Sequence, residues 1–456
     1  MTIKTKFRQL ALLLGDWCLL YLSLLLALTI RYQQWPSREL WQEHTAIFGW
    51  LFLLWLTIFY IANLYNLNIL AKGPRFTERV LKTIIPTVLL SLVIFYLWPQ
   101  AGITPKTNLA IFSLIFTASF LAWRYLWRRN LRQALPRNNV LLIGYDQMAD
   151  ELWQLLTTTP HFGYRPSLLF SPQEKLPAEP ISWPTINQVE KLAAAVIANK
   201  INTVVIVDRY RADEQINQIL FSLLPQNLTY LTLSSFYEQL TGKVPLAAIG
   251  QLWFLENLNL TEKRIYLTTK RLTDFSLAII CLIISLPLWP LIALLVKISS
   301  PGPIIFKQSR VGRNSKLFNI YKFRTMKVAG NDFKPTAQKD SRVTALGQFL
   351  RQTRLDEIPQ LINIIKGEMS FIGPRPERPE LVDELSAKLP FYHIRTLIKP
   401  GVTGWDQVSG EYHSPSLEDT YKKLQHDLFY LKNFSIYLDL TIVLKTLATV
   451  ISRQGR

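Results

Sequence analysis

The chain has 456 residues, 49% of them apolar and 18% charged, and its 51 Lys and Arg against 32 Asp and Glu give a formal charge of +19. That composition excludes a disordered tail protein, a collagen-like rod and a small disulfide scaffold. A mean hydropathy of +0.15 in so basic a chain implies that apolar and basic residues occupy separate stretches, as in membrane proteins. Basicity alone would suit nucleic acid, anionic lipid or a phosphorylated substrate, so its placement decides. The two cysteines, Cys18 and Cys281, lie far apart in apolar runs, which points to a reducing compartment for the soluble parts. The five histidines show no metal-ligand spacing.

Four apolar stretches open the chain, at 10–30, 46–64, 80–98 and 109–127. Each approaches the roughly 20 residues that a helix needs to cross a bilayer, and together they predict four transmembrane helices. Lys4, Lys6 and Arg8 lend the first the look of a signal peptide. Its apolar region is long, however, no convincing small-residue cleavage site follows, and three more spans do, so it reads as a retained helix. Basic residues crowd before the first span, in the second loop (Lys72, Arg75, Arg79, Lys82) and after the fourth span (Arg124, Arg128, Arg129, Arg132, Arg137). The other loops hold only Arg31, Arg38 and Lys106. The positive-inside rule then places both ends of the bundle in the cytosol. Asp16, an expensive residue in lipid, is a functional candidate by default, but it lies near one end of the first span, where an interhelical partner or a snorkelling contact would suffice.

From Asn139 the pattern changes. Val140 to Ile143 and Thr203 to Val207 are short β-branched strands that alternate with helix-like runs, which predicts a small parallel α/β domain over 139–262. A dinucleotide site would want three glycines after the first strand, and the chain offers Gly144 alone before Tyr145, Asp146, Gln147, Met148 and Ala149. Close approach of a pyrophosphate needs the missing ones, so a regulatory or scaffolding role is expected here. Tyr266 and Lys270 have the Tyr-x-x-x-Lys spacing of short-chain dehydrogenases, read here as chance.

A fifth apolar run, 275–296, has 22 uncharged residues. Pro287 and Pro290 interrupt it, and both flanks are basic, with Lys263, Arg264, Lys270 and Arg271 before it and Lys297, Lys307, Arg310 and Arg313 after. A spanning helix should have one poor flank. A helix that enters the membrane, bends at the prolines and returns leaves both flanks on the cytosolic side.

The last third is dense in residues suited to phosphate and metal. The Ser300-Pro301-Gly302-Pro303 turn leads to Gln308 to Arg313 and then to Tyr321-Lys322-Phe323-Arg324-Thr325-Met326. Next come Arg351 to Asn363, containing Leu355-Asp356-Glu357-Ile358-Pro359-Gln360-Leu361, then Gly373-Pro374-Arg375-Pro376, and finally Lys399-Pro400-Gly401-Val402-Thr403-Gly404. Asp356 precedes an apolar run ending at Gly367, so on structure alone it is the N-cap of a short helix with Pro359 in its first turn. Capping and nucleophilic duty are compatible, since a helix N-terminus keeps a carboxylate ionised. Glu357 adds a second oxygen ligand, and a carboxylate pair beside a diphosphate suits Mg²⁺. The closing stretch, 435–450, is amphipathic and is followed by Arg453 and Arg456; it suits either the membrane interface or a packed core.

Taken together, these motifs resemble the bacterial sugar transferases, the monotopic polyprenyl-phosphate phosphoglycosyl transferases, across essentially all of 264–456. The whole chain looks like the long form of that family, with Tyr237 to Leu246 more weakly similar to exopolysaccharide-associated members. The resemblance implies a membrane α-helical bundle plus α/β architecture. Its parts are a four-helix transmembrane domain at 1–138, a Rossmann-like middle domain at 139–262, and a re-entrant helix with a mixed α/β catalytic domain at 263–456. Ser285-Leu286-Pro287 stands where the family often has Ser-Pro at the membrane bend, so Ser285 and Pro287 are the bend residues.

The implied activity transfers a sugar 1-phosphate from a UDP-sugar to polyprenyl, that is undecaprenyl, phosphate, with Asp356 as nucleophile. Asp356 and Glu357 are the catalytic and metal residues, with Mg²⁺ as cofactor. Arg351, Arg375, Arg310 and Lys322 match motif positions for holding phosphate or uridine; taken singly, each could instead be a solvated or lipid-facing charge. The partners implied are the two substrates and the bilayer, with no nucleic acid, at the bacterial inner membrane with the catalytic domain facing the cytosol. A homo-oligomer is left open, as is the sugar. Rival readings are a membrane-anchored NAD-dependent nucleotide-sugar dehydratase or epimerase, disfavoured by the single glycine, and a non-catalytic scaffold, disfavoured by the intact acidic pair.

Overall fold

The computed structural model describes residues 3–62, 64–65, 74–97, 105–133, 138–159, 162–171, 183–258, 263–327, 342–409 and 416–451. Lys72, Trp98, Arg137, Arg453 and Arg456, all weighed above, lie outside the described residues, and for Lys4, Lys6, Arg8, Arg75, Lys106 and Arg132 only the backbone is described. The chain divides into two compact units, Met1–Thr241 and Gly242–Arg456. Val244, Leu246, Ile249 and Phe254 are buried in a core of the second unit with Leu424 and Leu428.

The first unit opens with four long helices, α1 (Ile3–Tyr32), α2 (Arg38–Ile61), α3 (Pro74–Leu97) and α4 (Pro105–Gln133). Their core is a file of aromatic rings, Phe48, Phe52, Trp55 and Phe59 on α2 against Phe112, Phe116 and Phe120 on α4, all nearly inaccessible. Facing centroids such as Phe52 and Phe112 stand 5.5 Å apart, in the range where aromatic pairs attract. Among the described residues three helices are long and apolar enough to cross a membrane, Gln9–Tyr32, Arg38–Ile61 and Thr107–Arg129. The expected span over 80–98 forms a helix, described as far as Leu97, with Glu78, Arg79 and Lys82 in the first turns of α3.

Asp16 has its interhelical partner: its Oδ2 accepts from Arg124 Nη2 on α4 at 2.5 Å, with both side chains at most 2% exposed. Toward the other end of these helices Arg31 donates to Asn108 Oδ1 at 2.7 Å, and Asn108 Nδ2 lies 2.9 Å from His44 Nε2.

Within the same unit a five-stranded, wholly parallel sheet follows. Its strands are β1 (Asn138–Ile143), β2 (Tyr164–Phe170), β3 (Thr185–Ile186), β4 (Ile201–Ile206) and β5 (Thr229–Thr232), in the order β3-β2-β1-β4-β5. Crossovers run through α5 (Gln147–Thr158), α6 (Leu192–Ala198) and α7 (Glu214–Ser222), and α8 (Leu233–Thr241) closes the unit. The central strands read as continuous apolar runs because both faces are covered. Leu141, Leu142, Ile143, Val204 and Val205 are all at most 2% exposed.

The second unit holds α9 (Gln251–Asn257), then α10 (Arg264–Ser285) and α11 (Leu288–Ser299), which meet at a 66° bend. Leu286 and Pro287 form the break, and Ser285 Oγ sits beside it, donating to Leu282 O at 3.0 Å and accepting from Trp289 Nε1 at 3.3 Å. Both arms pack inward on the same unit. Ala278, Cys281 and Leu282 meet Ile320, Leu361 and Ile364, while Ile292 and Val296 meet Phe323 and Leu350. Their outer faces stay apolar and exposed, with Ile284 and Ile298 more than 70% accessible.

Beyond the bend, β6 (Ile305–Val311) pairs antiparallel with β7 (Leu317–Phe323), and β8 (Ser370–Ile372) pairs parallel with β9 (Gly401–Thr403). Helices α12 (Ala345–Thr353), α13 (Gln360–Lys366), α14 (Pro379–Lys388), α15 (Leu417–Asn433) and α16 (Ile436–Ile451) complete it. The Tyr-x-x-x-Lys pair is structural: Tyr266 and Lys270 both reach Asp439 Oδ2 on α16, at 2.5 and 2.8 Å. Helix α16 buries Leu438 and Ile442 and exposes Ile436, Leu440 and Leu447.

Candidate active site

The acidic pair sits on a tight turn rather than at a helix cap. Helix α12 ends at Arg354, which takes the left-handed conformation (φ 59°, ψ 13°), and a 3-10 turn Leu355–Glu357 follows. Such a conformation is unusual for a residue with a Cβ and marks a helix end. Pro359, not Asp356, precedes α13, and no side chain caps that helix. The expected N-cap role for Asp356 therefore fails: the left-handed step at Arg354 places the carboxylate in a separate turn. Asp356 is 7% exposed and its Oδ1 is buried with no hydrogen-bond partner.

Strand β7 supplies the opposite wall. Lys322 Nζ lies 2.8 Å from Glu357 Oε1, and Arg354 Nη1 stands 3.8 Å from the same oxygen. Asn363 on α13, fully buried, sets this spacing by donating to Asn319 O at 2.7 Å and accepting from Tyr321 N at 3.2 Å. Arg375 comes from the loop after β8 and lines one open cleft with Lys322, Glu357, Gln360 and Arg310.

The two carboxyls are driven apart. Burial opposes ionisation of Glu357, but Lys322 and Arg375 outweigh it and hold Glu357 down at about 2. Burial and the Glu357 charge raise Asp356 above the ordinary aspartate value, against Lys322, Arg351 and Arg354. Burial likewise lowers Lys322, against the pull of Glu357. Neighbouring carboxyls with divergent environments are how one site divides two acid–base roles. Glu357 is a permanent anion already matched by cations, whereas Asp356 keeps a buried lone pair unengaged.

Of the residues singled out from sequence, Asp356, Glu357, Lys322 and Arg375 come together. Arg351 lies near enough for its charge to act on Asp356, while its Nε donates to Thr325 Oγ1 at 2.9 Å. Arg310 borders the cleft but spends Nη1 on Pro376 O at 3.0 Å and Nη2 on Gln308 Oε1 at 2.7 Å. Ser285 and Pro287 belong to the helix break. Sequence reasoning passed over Arg354, Gln360 and Asn363. All three lie inside the quoted run around Asp356, and their polarity amid Leu355, Ile358, Leu361 and Ile362 was the available signal.

The first unit offers a second place where a nucleotide could sit, the turn after β1. Gly144 has φ +90°, and a Cβ there would stand 2.3 Å from a ring carbon of Tyr210. The Tyr210 ring, 7% exposed, fills the space over that turn. Asp146 caps α5, accepting from Ala149 N at 2.7 Å, so a carboxylate stands where a phosphate would use the helix N-terminus.

Comparison with known proteins places these features. Residues 265–453 match the family model for bacterial sugar transferase, and residues 60–229 match one for a CoA-binding domain. The filled Gly144 turn and the Asp146 cap do not fit the diphosphate of CoA. The chain is 41% identical over 222 residues to the UDP-N-acetylgalactosamine-undecaprenyl-phosphate N-acetylgalactosaminephosphotransferase of Aeromonas hydrophila, covering 48% of this chain and 51% of that protein. It is 37% identical over 234 residues to the UDP-glucose:undecaprenyl-phosphate glucose-1-phosphate transferase of Escherichia coli (strain K12), covering 49% and 47%. The chain thus spans about half the length of these two relatives. It is also 37% identical over 198 residues to exopolysaccharide production protein PSS of Rhizobium leguminosarum bv. phaseoli, covering 41% of this chain and 97% of that protein. With a relative matched over nearly its whole length, and a family model that runs from the bent helix through the acidic turn to α16, the chain belongs to the bacterial sugar transferase family.

Proposed function

We propose that this protein transfers a sugar 1-phosphate from a UDP-sugar to polyprenyl phosphate, undecaprenyl phosphate by analogy with the names of its relatives, and so starts assembly of an exopolysaccharide or other surface glycan. In the first step an oxygen of Asp356 attacks the β-phosphorus. The bond from that phosphorus to the bridging oxygen breaks, and UMP leaves with the electron pair. In the second step a phosphate oxygen of the lipid attacks the same phosphorus, and the Asp356 carboxylate departs. Covalent catalysis of this kind divides one difficult transfer into two easier ones.

The observation that carries this reading is the buried, unpartnered Oδ1 of Asp356 beside a Glu357 already neutralised by Lys322. Lys322 and Arg375 meet the charge that spreads over the non-bridging oxygens. Asp356 and Glu357 would hold Mg²⁺, which neutralises phosphate charge when bound and takes one or two carboxylates plus substrate oxygens. Among the described residues no third His, Cys, Asp or Glu joins them, so phosphate and water oxygens would complete the shell. The free oxygen of Asp356 fits that donor set.

In this reading α3 crosses the membrane with α1, α2 and α4, the sheet is Rossmann-like, and the bent pair α10 and α11 enters the bacterial inner membrane and returns. The packing of both arms on one unit supports the return, and their exposed apolar outer faces support immersion. The second unit faces the cytosol.

The test is order of events. With UDP-sugar and Mg²⁺ but no lipid, the purified protein should release UMP up to about one equivalent per site, as a covalent intermediate requires. Mass spectrometry should find the sugar phosphate on the peptide carrying Asp356, and Asp356→Asn should give no burst. An adduct elsewhere, or no UMP until lipid is added, overturns the two-step route.

A further inference from the structure

The loop that carries Arg375 cannot fix itself. Pro374 and Pro376 have no N–H to give, so the carbonyls of 374–377 need donors from outside the loop. Each has one. Pro374 O accepts from Gly401 N at 3.0 Å and Glu377 O from Val311 N at 2.9 Å. Arg375 O accepts from Arg395 Nη2 at 3.0 Å, and Pro376 O from Arg310 Nη1 at 3.0 Å. The peptide units following Arg375 and Pro376 are thus held by guanidinium groups.

Those groups are themselves fixed. Arg395 is 5% exposed, with Nε 2.9 Å and Nη2 2.7 Å from Asp427 Oδ2, and its Nη1 donates to Tyr392 Oη at 3.0 Å. A buried guanidinium with its fork engaged is a rigid frame. One turn from Asp427 on α15, Lys423 pairs with Glu377, whose Oε2 stands 3.7 Å from Arg310 Nη1.

We propose that Arg395 and Arg310 are positioning residues, which hold the carbonyl oxygens of Arg375 and Pro376 so that Arg375 meets the substrate diphosphate on a backbone already set, with α15 as anchor through Asp427 and Lys423. This rests on the reading of the Arg375 cleft as the diphosphate seat. It moves Arg310 from phosphate ligand to carbonyl clamp.

The experiment compares UDP affinity by calorimetry and kcat/KM for UMP release, using the full chain in lipid nanodiscs. A clamp needs a donor at 310, whereas a phosphate ligand needs a charge. Arg310→Met should lose roughly 10- to 100-fold in both quantities, the cost of misplacing a reacting group by about an ångström. Arg310→Gln, a neutral donor, should lose several-fold less than Arg310→Met. If Arg310→Lys retains function while Arg310→Gln falls as far as Arg310→Met, the residue binds phosphate directly and the clamp is overturned.

Arg395→Lys should weaken UDP binding in the native background and add little once Arg375→Ala is present, because the two act through one group. Full additivity overturns the proposal. Arg375→Ala with unchanged UDP affinity instead overturns the diphosphate seat itself. Should Arg395→Lys not fold, by its thermal transition, the Arg310 series decides.

Discussion

Two turns in this molecule follow similar backbone logic and reach opposite chemical ends. After β1, Gly144 takes a positive φ, Tyr210 fills the space above it and Asp146 satisfies the helix N-terminus. After α12, Arg354 takes a positive φ, and the turn it launches leaves Asp356 Oδ1 buried and unpartnered among cations. The first turn has its helix N-terminus capped and its space occupied; the second has a carboxylate oxygen in reserve. The sheet order that suggests a nucleotide fold belongs to the first turn, so architecture is a poor guide to which turn keeps a polar atom unengaged.

The contrast breaks most visibly at Lys322. Lys322→Met leaves Glu357 buried without its nearest cation and should slow UMP release about 10²- to 10³-fold, as expected for losing one preorganised charge at a reacting phosphate. A change under threefold would show that the cation wall is not part of the chemistry.

Next in size is the acid limb of the first step. Asp356 is raised by burial and by Glu357, and only its ionised form can attack. The burst rate should therefore begin to fall at a pH above the free-aspartate value of about 3.9, and then drop about tenfold per unit. Glu357, held low, stays charged through that window and adds no limb of its own. Glu357→Gln removes a charge that raises Asp356, so the limb should move to lower pH. Movement upward would mean that the two carboxyls are not coupled as described.

Smaller effects belong to the filled turn. Gly144→Ala forces a Cβ to 2.3 Å from Tyr210 on a backbone that alone costs about 1–2 kcal/mol for a residue with a side chain. It should lower the thermal transition of the first unit and leave UMP release per folded molecule unchanged. In a Tyr210→Ala background the penalty should shrink to the backbone part. Smallest of all, CoA or NAD should give no heat of binding and no shift in melting, and micromolar binding of either would erase the distinction between the turns.

The acidic pair was legible because Asp356 and Glu357 are adjacent and set in a polar motif, and the bend because Pro287 interrupts an apolar run. The parallel sheet was legible from its β-branched strands. Other features depend on partners that no local spacing reveals. The left-handed step at Arg354 displaced the expected cap, and the hydrogen bond from Arg310 to Pro376 O joins residues 66 positions apart. Tyr266 and Lys270 acquired meaning only from Asp439, far along the chain.

The ion pair between Asp16 and Arg124 ties α1 to α4. The two residues are 108 positions apart, so Asp16 is made and offered to the membrane well before its partner exists. A lone Asp or Arg at the centre of a spanning helix costs about 2.5–3.5 kcal/mol on insertion scales, whereas the two charges brought 2.5 Å apart offset one another. The pair closes only where α1 and α4 pack together. Replacing either residue alone leaves the other as a buried charge without its partner, so the pair is expected to tolerate change only when both members change together.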